Sequence, residues 1–492
     1  MLQRYSVYKI NKLSRKYEIW CIGCGVRLNE MIEKYKDQAF IKKIVGLLDN
    51  NENLWGIKKK IGDSIISIHN PAYLTRYQQQ KILLIITSDH VEEIYSGIQD
   101  IIEKEQIVCA IYPIYYYGFS EKIMKLCARL PMKNRVLFKA GESPHENADE
   151  IVKYLNSIKC RKPIQVVYLG KNTNRLTSVF CIDDNALNQK SSLFQVLKYC
   201  FYYATSKYLF YENDPIYKVR NEQKLVYLNH GCFPLKRVND VLKQPEELDY
   251  GICPAPECAK VYEEQYGIPK EKQLYMMPAR KNELFNQDVD MDWVSNGSKL
   301  IIWLPTFRQL KNSDRRDSLK DTPLEVVGKK ENWDYLNTYL EKEHYCLVIK
   351  NHPRERLPIR ESGNYSAIKI LTDTELQEHG VVLNQVLSKS VAMITDYSSV
   401  AFEYMLLNRP IGYVVADMNT YIRGFSVQNP LDYMPGEKIV DFAGLLEFIS
   451  KIVEGQDDYT KERMRVVKNV FGNMKDTDGA RMLVELIQHG GI

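Results

Sequence analysis

The sequence contains no long apolar run. Its 492 residues include no uninterrupted apolar window of about 18 residues, the length that a membrane-spanning helix requires, so no such helix is predicted. The first residues, Met-Leu-Gln-Arg-Tyr-Ser-Val-Tyr-Lys, lack the apolar core of a secretory signal. We therefore expect a cytoplasmic protein whose contact with a membrane, if it has one, is peripheral.

The sequence also lacks a strong charge excess and a cysteine pattern. The 67 basic and 62 acidic residues leave a net charge of +5, which is too small to predict a nucleic-acid partner. The 11 cysteines are scattered, as is typical of reduced thiols. The C-x-x-C pair Cys21 and Cys24 has no second pair at zinc-ribbon spacing, so we expect no metal site.

Residues 1–120 have the pattern of an α/β domain. An apolar strand ending at Ile22 is followed by the turn Gly23-Cys24-Gly25, and Asp49 ends the next strand, a pattern typical of dinucleotide-binding folds. Leu28 stands where the third glycine of that fingerprint belongs. We predict an additional Rossmann-like domain. An NAD-like ligand is one interpretation, and a structural or regulatory domain with an empty cleft is the favoured one.

The segment from Thr395 to Glu403 gives the most specific signal in the chain. A short apolar strand, 391–394, precedes Ser398 and Ser399, and a helical pattern follows them. A helix start offers free N–H groups to an anion, and two hydroxyls would add donors. Glu403 could reach a sugar diol. The alternative interpretation is a simple helix cap, because Asp and Ser favour that position.

Other polar groups also follow apolar strands directly. His230 follows the strand 225–228, Arg308 follows 300–304, and His352 follows 346–349. Ligands of open α/β sheets bind beyond the carboxyl ends of the strands. A single histidine in this position is more often structural, but the common placement of these groups favours two sheets that face one cleft.

Residues 191–211 form an aromatic-rich amphipathic segment. One interpretation is a core helix followed by a buried strand. The other is a surface that faces lipid. The sequence leaves both open.

Five motifs in order carry a resemblance to a known family. They are His230-Gly231 with Pro234-Leu235-Lys236, Pro305-Thr306-Phe307-Arg308, Lys350-x-His352-Pro353, Thr395-Asp396-Tyr397-Ser398-Ser399, and Tyr421-x-Arg423-Gly424-Phe425. Together they resemble the CDP-glycerol glycerophosphotransferase family of teichoic-acid and capsule polyol-phosphate transferases. The resemblance covers residues 133–475 and leaves residues 1–120 outside it.

The resemblance implies a fold and a reaction. The fold is a GT-B-like pair of Rossmann-like domains facing a cleft, with an acceptor domain at 133–290, a CDP-donor domain at 291–476 and a helical tail at 477–492. The reaction is attack by an acceptor hydroxyl on the β-phosphorus of CDP-glycerol or CDP-ribitol, which releases CMP. The implied acceptor is a lipid-linked or polymeric glycan at the inner face of the membrane.

The resemblance also implies roles for individual residues. His230 would be the base, since histidine has a suitable pKa. The pyrophosphate would be held by His352, Arg308, Ser398 and Ser399. Asp396 would orient His352 or cap the helix, and Glu403 would hold the ribose. The remaining candidates for phosphate or acceptor contacts are Lys236, Lys350, Arg280 and Arg423. No cofactor or metal is required by this donor set.

The sequence departs from the family pattern in one loop and leaves two other functions open. The family usually reads H-G-T-P-L-K, whereas Cys232 and Phe233 replace the single threonine here. One alternative function is a GT-B glycosyltransferase that uses a nucleotide sugar. The other is a nucleotide-binding scaffold in a capsule assembly complex, for which the glycine turn and Asp49 are the motivation.

Overall fold

The chain was analysed as a computed structural model. The residues that the structure describes are 7–76, 81–88, 91–111, 119–139, 146–158, 163–170, 180–182, 192–213, 215–229, 231–239, 242, 244–245, 247–286, 288–308, 316–320, 322–352 and 365–492. Contacts divide the chain into two compact units. The first unit comprises residues 1–127, 185–200 and 310–315, and the second comprises 128–184, 201–309 and 316–492.

The first unit contains a mainly parallel sheet. Its described strands are β1 (Glu18–Ile22), β2 (Ile44–Leu48), β3 (Lys58–Ile61), β4 (Ser64–His69), β5 (Ile82–Ile86) and β6 (Val108–Ile111), and its helices are α1 (Val7–Leu13), α2 (Val26–Lys34), α3 (Val91–Lys104) and α4 (Phe119–Cys127). The strand order is β3-β4-β2-β1-β5-β6. Only the β3–β4 pair is antiparallel among these strands. All five residues of β5 are apolar and buried. This is the pattern expected of an interior parallel strand that is covered on both faces.

The second unit contains two parallel sheets, of which the first is called the middle sheet. Its described strands are β7 (Lys133–Lys139), β8 (Gln165–Leu169), β9 (Phe180–Ile182), β10 (Ser206–Tyr211), β11 (Lys224–Tyr227), β12 (Tyr250–Cys253) and β13 (Gln273–Tyr275), and the helices in this part of the sequence are α5 (Glu146–Ser157), α6 (Leu193–Thr205) and α7 (Ala259–Tyr266). The strand order is β13-β12-β11-β10-β7-β8-β9. The long connections between the described parallel strands are those expected of βαβ crossovers.

The other sheet of the second unit is called the C-terminal sheet. Its described strands are β14 (Lys299–Leu304), β15 (Tyr345–Lys350), β16 (Ile368–Leu371), β17 (Ser390–Thr395), β18 (Ile411–Val414) and β19 (Glu437–Ile439). The helices from here to the chain end are α8 (Asp292–Ser295), α9 (Lys330–Lys342), α10 (Asp373–Glu378), α11 (Leu383–Lys389), α12 (Val400–Tyr404), α13 (Phe442–Val453), α14 (Thr460–Phe471) and α15 (Gly479–His489). The order β16-β15-β14-β17-β18-β19 makes β15, β14, β17 and β18 successive neighbours. That order decides which strand ends can share a site.

The α/β class predicted from the sequence is confirmed, and each strand that the sequence predicted lies in one of these sheets. The apolar pattern of residues 108–114 also predicts a strand; its described part ends at Ile111, and 112–114 lie outside the described residues. The predicted domain boundaries are not tested by the division into two units and stay predictions.

The last helix packs into the core of the middle sheet. Ala480, Leu483, Val484 and Ile487 of α15 are buried in one apolar cluster with residues of β7 and α5. The start of α15 approaches the Met277 backbone closely because Gly479 has no side chain. A Cβ at position 479 would overlap the carbonyl oxygen of Met277. The segment predicted as a helical tail is therefore part of a hydrophobic core.

The interpretation of residues 191–211 as a core helix followed by a buried strand is confirmed for most of the described part, and the lipid-facing interpretation stays a prediction. Helix α6 buries Tyr199, Cys200 and Tyr203, and strand β10 is buried throughout, apart from a half-buried Lys207. The first turn of α6 is different, since Leu193 and Phe194 are 56% and 73% exposed.

Truncating Leu483 tests the contribution of α15 to the core. Leu483→Ala should lower the free energy of unfolding by about 2–5 kcal/mol, because it opens a cavity at a fully buried position. Denaturant titration measures the change. Met464→Ala, at a helix position that is 60% exposed, is the control and should change the same quantity by less than about 0.5 kcal/mol. Equal losses in the two variants would contradict the core role of α15.

Candidate functional site

The candidate site lies at the carboxyl edge of the C-terminal sheet. Thr306 and Arg308 follow β14, His352 follows β15, and Asp396 and Ser398 follow β17. These three strands are neighbours in the order β15-β14-β17, so their ends meet along one edge. The sequence-predicted strand-end residues of this sheet are thus brought together by topology.

A buried arginine joins three of the loops at this edge. The Arg308 Nη1 donates to the Asp396 Oδ2 at 2.7 Å, and its Nε donates to the Asp417 Oδ2 at 2.8 Å. Tyr397 and Ser318 donate their hydroxyl protons to the same Asp417 carboxylate, at 2.9 and 2.6 Å. Burial alone would lower the pKa of Arg308, but the two carboxylates outweigh it and hold that pKa above its ordinary value.

This network gives Arg308 and Asp396 structural contacts that the sequence did not predict. Arg308 is fully buried, and its three nitrogens donate to Asp396, Asp417 and Thr306. Asp396 was expected to orient His352 or to cap the helix, and that role stays a prediction. Its carboxylate accepts hydrogen bonds from Arg308 and from the Thr306 backbone N–H and hydroxyl. Both residues hold loops of the site together, and a direct donor contact of Arg308 stays a prediction.

Phe307 lies between the loops of the two sheets. The His352 ring centroid is 4.9 Å from that of Phe307, in an edge-to-face arrangement. The Lys236 Nζ, from the loop after β11, lies 5.9 Å from the centroid of the same Phe307 ring. A cation from the middle-sheet part of the unit thus approaches a residue that follows β14 of the C-terminal sheet. Lys350 has a partner of its own, since its Nζ pairs with the Asp373 Oδ1 at 2.8 Å.

The two serines do not act as a strong helix cap. Helix α12 begins after Ser399, whose side chain makes no capping hydrogen bond, and the Ser398 Oγ is 3.5 Å from the Val400 N. Both serines are half-buried. The helix itself is only five residues long and continues as one 3-10 turn to Leu407. The hydroxyls are therefore not consumed by capping.

Glu403 and Arg280 form a buried ion pair between the two sheets of the unit. The Arg280 Nη2 lies 2.5 Å from the Glu403 Oε1, and its Nε is 3.2 Å from both carboxylate oxygens. The Asn384 Nδ2 donates to the Arg280 carbonyl at 2.9 Å. Burial would raise the pKa of Glu403, but the guanidinium outweighs it and holds that pKa below its ordinary value. A ribose contact would require this pair to open, and that predicted role is untested.

Backbone carbonyls of the loop that follows β11 are bonded to side chains of the middle-sheet part. The Tyr262 hydroxyl is 2.9 Å from the Cys232 carbonyl oxygen, and the Arg280 Nη1 donates to the Asn229 carbonyl at 3.0 Å. Ser399 also lies against this loop, and a Cβ on Gly231 would overlap its hydroxyl, so a larger residue there would require Ser399 to shift. The candidate base His230, between Asn229 and Gly231, lies outside the described residues.

The far end of the same loop pairs with the segment that carries Arg423. Lys236 and Phe425 form an antiparallel bridge, and the Arg237 N–H donates to the Gly424 carbonyl at 3.1 Å. The Arg423 Nη1 is 3.0 Å from the Asp317 Oδ2, and its Nε donates to the Arg237 carbonyl. Arg423 thus fixes the pairing of the two segments, and a phosphate contact is untested.

Two side chains form hydrogen bonds with the backbone of the glycine turn in the first unit. The Asp49 Oδ2 accepts the Cys24 N–H at 2.6 Å, and the Lys59 Nζ donates to the Cys24 carbonyl at 2.6 Å. Gly23 has a φ of +94°, and a Cβ there would meet the Thr87 carbonyl oxygen, which explains the first glycine by packing. The dinucleotide interpretation of this turn stays a prediction.

Several residues of the site were not predicted. Asp417 follows β18 and could have been found by the strand-end rule that identified Arg308 and His352. Glu212 follows β10, and burial raises its pKa to about 7, with Arg280 opposing the rise. No sequence signal separates Glu212 from other acidic loop residues. The Asn147 Oδ1 accepts the Arg280 backbone N–H at 3.0 Å.

Removing one partner of the buried pair tests the bond between the two sheets. Glu403→Gln should lower the free energy of unfolding at pH 7 by about 3–5 kcal/mol, because Arg280 keeps its charge without a carboxylate. The pKa of Glu403 is lower in the folded protein than in the unfolded chain, where it is about 4.3. The stability difference between wild type and variant is therefore full above the unfolded pKa, and it is lost as the pH falls through the folded pKa. Denaturant titration at several pH values measures it.

The matched control for this variant is Glu264→Gln. That carboxylate pairs with Lys260 at 3.8 Å on an exposed helix face, where a pair contributes about 0.3–0.5 kcal/mol. A loss in Glu403→Gln no larger than in the control would show that the buried pair does not hold the two sheets together.

Comparisons with known proteins agree with the geometry. Residues 122–489 match the family model described as CDP-Glycerol:Poly(glycerophosphate) glycerophosphotransferase. The chain is 25% identical over 249 residues to the teichoic acid glycerol-phosphate primase of Bacillus subtilis (strain 168), covering 49% of this chain and 58% of that protein. It is 22% identical over 344 residues to the teichoic acid ribitol-phosphate primase of Bacillus spizizenii (strain ATCC 23059 / NRRL B-14472 / W23), covering 64% and 83%.

A solved structure shows the same fold. The wall teichoic acid polymerase TagF aligns with a TM-score of 0.58 at 18% identity, over 82% of this chain and 97% of that one. The family model reaches from α4 to α15 and includes every predicted site residue. The chain belongs to the CDP-glycerol:poly(glycerophosphate) glycerophosphotransferase family.

Proposed function

We propose that this protein transfers a polyol phosphate, most simply glycerol phosphate, from a CDP-polyol to a hydroxyl of a lipid-linked or polymeric acceptor, with release of CMP. The pathway would be teichoic acid or capsule synthesis. One observation carries the proposal in a chain of this family: His352, Ser398 and Ser399 share one sheet edge, and the loop carrying Gly231 and Lys236 lies against it.

The proposed fold assignment follows from the two sheets of the second unit. The middle sheet would be the acceptor domain and the C-terminal sheet the CDP-donor domain of a GT-B-like pair. The sheet of the first unit would be an additional Rossmann-like domain, in agreement with its strand order β4-β2-β1-β5-β6. The family model covers residues 122–489 and therefore supports only the first two assignments.

The reaction needs a base, a positive environment for the phosphates and a leaving group. The acceptor oxygen forms a bond to the β-phosphorus of the donor while the bond from that phosphorus to the bridging oxygen breaks. The electron pair leaves with CMP, and the proton of the hydroxyl passes to the base, for which His230 is the candidate. Developing negative charge on the phosphoryl oxygens requires donors that are already in place.

The described residues offer those donors in two groups. The Ser399 hydroxyl makes no capping hydrogen bond, and the Ser398 Oγ accepts only a long one from the Val400 N–H, so both hydroxyl protons can be donated. His352 follows β15, which is separated from the serine-bearing β17 by β14 along the same edge. Lys236 supplies a positive charge from the opposite loop. Arg308 and Asp396 would act indirectly, because their buried network fixes the turns on which Thr306 and Ser398 lie. In the proposed reaction, one set of residues contacts the phosphates and the other holds the loops that carry them.

Turnover assays test the reaction. Purified protein with CDP-glycerol or CDP-ribitol and acceptors of different length should release CMP. His352→Ala and His230→Ala should each lower kcat by at least about 100-fold, the usual range for an acid–base group, while the melting temperature stays close to that of the wild type. His489→Ala is the control, since His489 lies on an exposed part of α15.

Two outcomes would contradict the proposal. Turnover of a UDP- or GDP-sugar in preference to CDP-polyols would indicate a glycosyltransferase. Stabilisation of the protein by a dinucleotide, with no effect of CDP or CMP, would favour the scaffold interpretation.

We also propose a peripheral attachment to the membrane through α6 and α4. Leu193, Phe194 and Leu197 are 56%, 73% and 42% exposed, and they share one side of the first turns of α6. The Cys200 thiol of α6 lies close to Cys127 of α4, whose neighbour Leu126 is 65% exposed. The lysines at 122, 125 and 198 on the same two helices fit an anionic lipid surface. In the described part of the chain no helix is long and apolar enough to cross a bilayer.

Vesicle sedimentation tests this attachment. The protein should sediment with vesicles that contain phosphatidylglycerol and much less with phosphatidylcholine alone. The double variant Leu193→Ser and Phe194→Ser should bind at least about tenfold more weakly, because two buried apolar side chains contribute more than 1.4 kcal/mol. Ile65→Ser, at a position that is 70% exposed on β4, is the control. Equal binding by the double variant and the control would locate the contact elsewhere.

A further inference from the structure

The loop after β11 carries two adjacent buried residues, Cys232 and Phe233. Cys232 is fully buried and Phe233 is 3% exposed. A large apolar side chain that a loop buries in this way fills a specific space.

Phe233 fills a space between aromatic side chains of the C-terminal sheet's connections. Its ring centroid lies 4.7 Å from that of Phe402, on α12, and 5.2 Å from that of Tyr433. The Phe233 and Tyr433 rings are nearly parallel, at 13°. Aromatic pairs at such separations contribute about 0.5–1.5 kcal/mol each beyond the burial of their area.

The neighbours of Phe233 contact the same helix. The Cys232 side chain lies near the Glu403 carboxylate, one residue beyond Phe402. Gly231 abuts the Ser399 hydroxyl at the start of α12. Three successive residues of the loop therefore contact α12 or the turn that begins it. A displacement of the loop would be transmitted to the serines, and a displacement of the serines to the loop.

We propose that Phe233 is a positioning residue that sets the alignment between the loop of the candidate base and the helix of the candidate phosphate donors. The proposal rests on the proposed function, because it assigns His230 and the serine pair to the two sides of one reaction. Reacting groups must approach to about 3–3.5 Å in the correct orientation, and a displacement of 1 Å can cost about 100-fold in rate. The Phe233 ring, which packs against Phe402 and Tyr433, would hold the loop from Gly231 to Lys236 in a fixed position relative to α12.

A purely structural role predicts a different result. In that case Phe233 only buries apolar area, and its truncation lowers stability as any buried phenylalanine would, without a specific effect on turnover. Phe448 is the matched control, since it is 2% exposed and lies in the core of the C-terminal sheet on α13. Phe233→Ala and Phe448→Ala should lose comparable stability.

Kinetics with CDP-glycerol and a suitable acceptor separate the two roles. At a temperature where both variants are folded, Phe233→Ala should lower kcat by about 100-fold and change the Kd for CDP by less than about threefold. Phe448→Ala should keep kcat within about threefold of the wild type. Phe233→Tyr, which keeps the ring, should recover most of kcat, whereas Phe233→Leu should recover stability more than turnover. A loss of kcat in Phe233→Ala no greater than in Phe448→Ala would overturn the proposal.

A second measurement does not depend on turnover. Amide hydrogen exchange without ligand should become faster in Phe233→Ala at two places, residues 231–237 and residues 399–407, because the two segments no longer hold each other. Phe448→Ala should not affect these segments selectively. Unchanged exchange at residues 399–407 in Phe233→Ala would also overturn the proposal. If the wild type releases no CMP but shows this coupling, the proposed reaction fails while the positional link stands.

Discussion

One enclosed guanidinium holds the edge of the sheet on which the site is built. Arg308 lies between the carboxylates of Asp396 and Asp417 with no exposed surface. Asp396 belongs to the turn after β17 and Asp417 to the segment after β18, while Arg308 itself follows β14. Loops at sheet edges are otherwise the most variable part of such folds. Three of them are tied here by charge-assisted bonds, which are strong in a dry environment.

This arrangement explains why the polar groups of the site divide into two classes. Groups whose hydrogen bonds are complete, such as Arg308 and the Arg280–Glu403 pair, set the positions of strand ends and of the two sheets. The Ser399 hydroxyl, which the helix does not use as a cap, can be offered to a ligand. A site that must stabilise developing charge needs both classes, because donors that move when charge appears lose most of their advantage. The fully bonded groups supply the rigidity and the other groups supply the contacts.

The sequence predicted the sheets better than it predicted the roles of single residues. Strands such as β5, β14 and β17 are short apolar runs buried on both faces, and that pattern survives in the fold because it is local. Strand β3, Lys58–Ile61, was missed since three lysines precede its only isoleucine and its exposed pairing with β4 leaves no apolar pattern. Strands β9, β13 and β19 are three residues long, too short for a period to show.

The roles of single residues were harder to predict because they depend on side-chain partners that are distant in the sequence. Glu403 looks like a ribose ligand from its spacing to the serines, yet its carboxylate is bonded to Arg280, 123 residues away. Asp396 looks like a helix cap, yet Arg308 and Thr306 bind it from another strand end. Asp396 follows β17 directly at the sheet edge, whereas Glu403 lies on α12. Only the packing of loops from different strands decides which of them remain available to a ligand.

The packing of α15 has a consequence for the order in which the chain can fold during synthesis. The core that begins with Val136 on β7 is completed by Leu483 and Val484, so the ribosome must deliver the whole C-terminal sheet before the middle sheet can close its apolar surface. Contacts separated by more than 300 residues form late, since loop closure opposes them. The C-terminal sheet, whose clustered core lies between Ile301 and Ile452, has no such delay. The C-terminal sheet of the nascent protein would thus fold first, and a chain interrupted before α15 would leave the apolar surface of the middle sheet exposed.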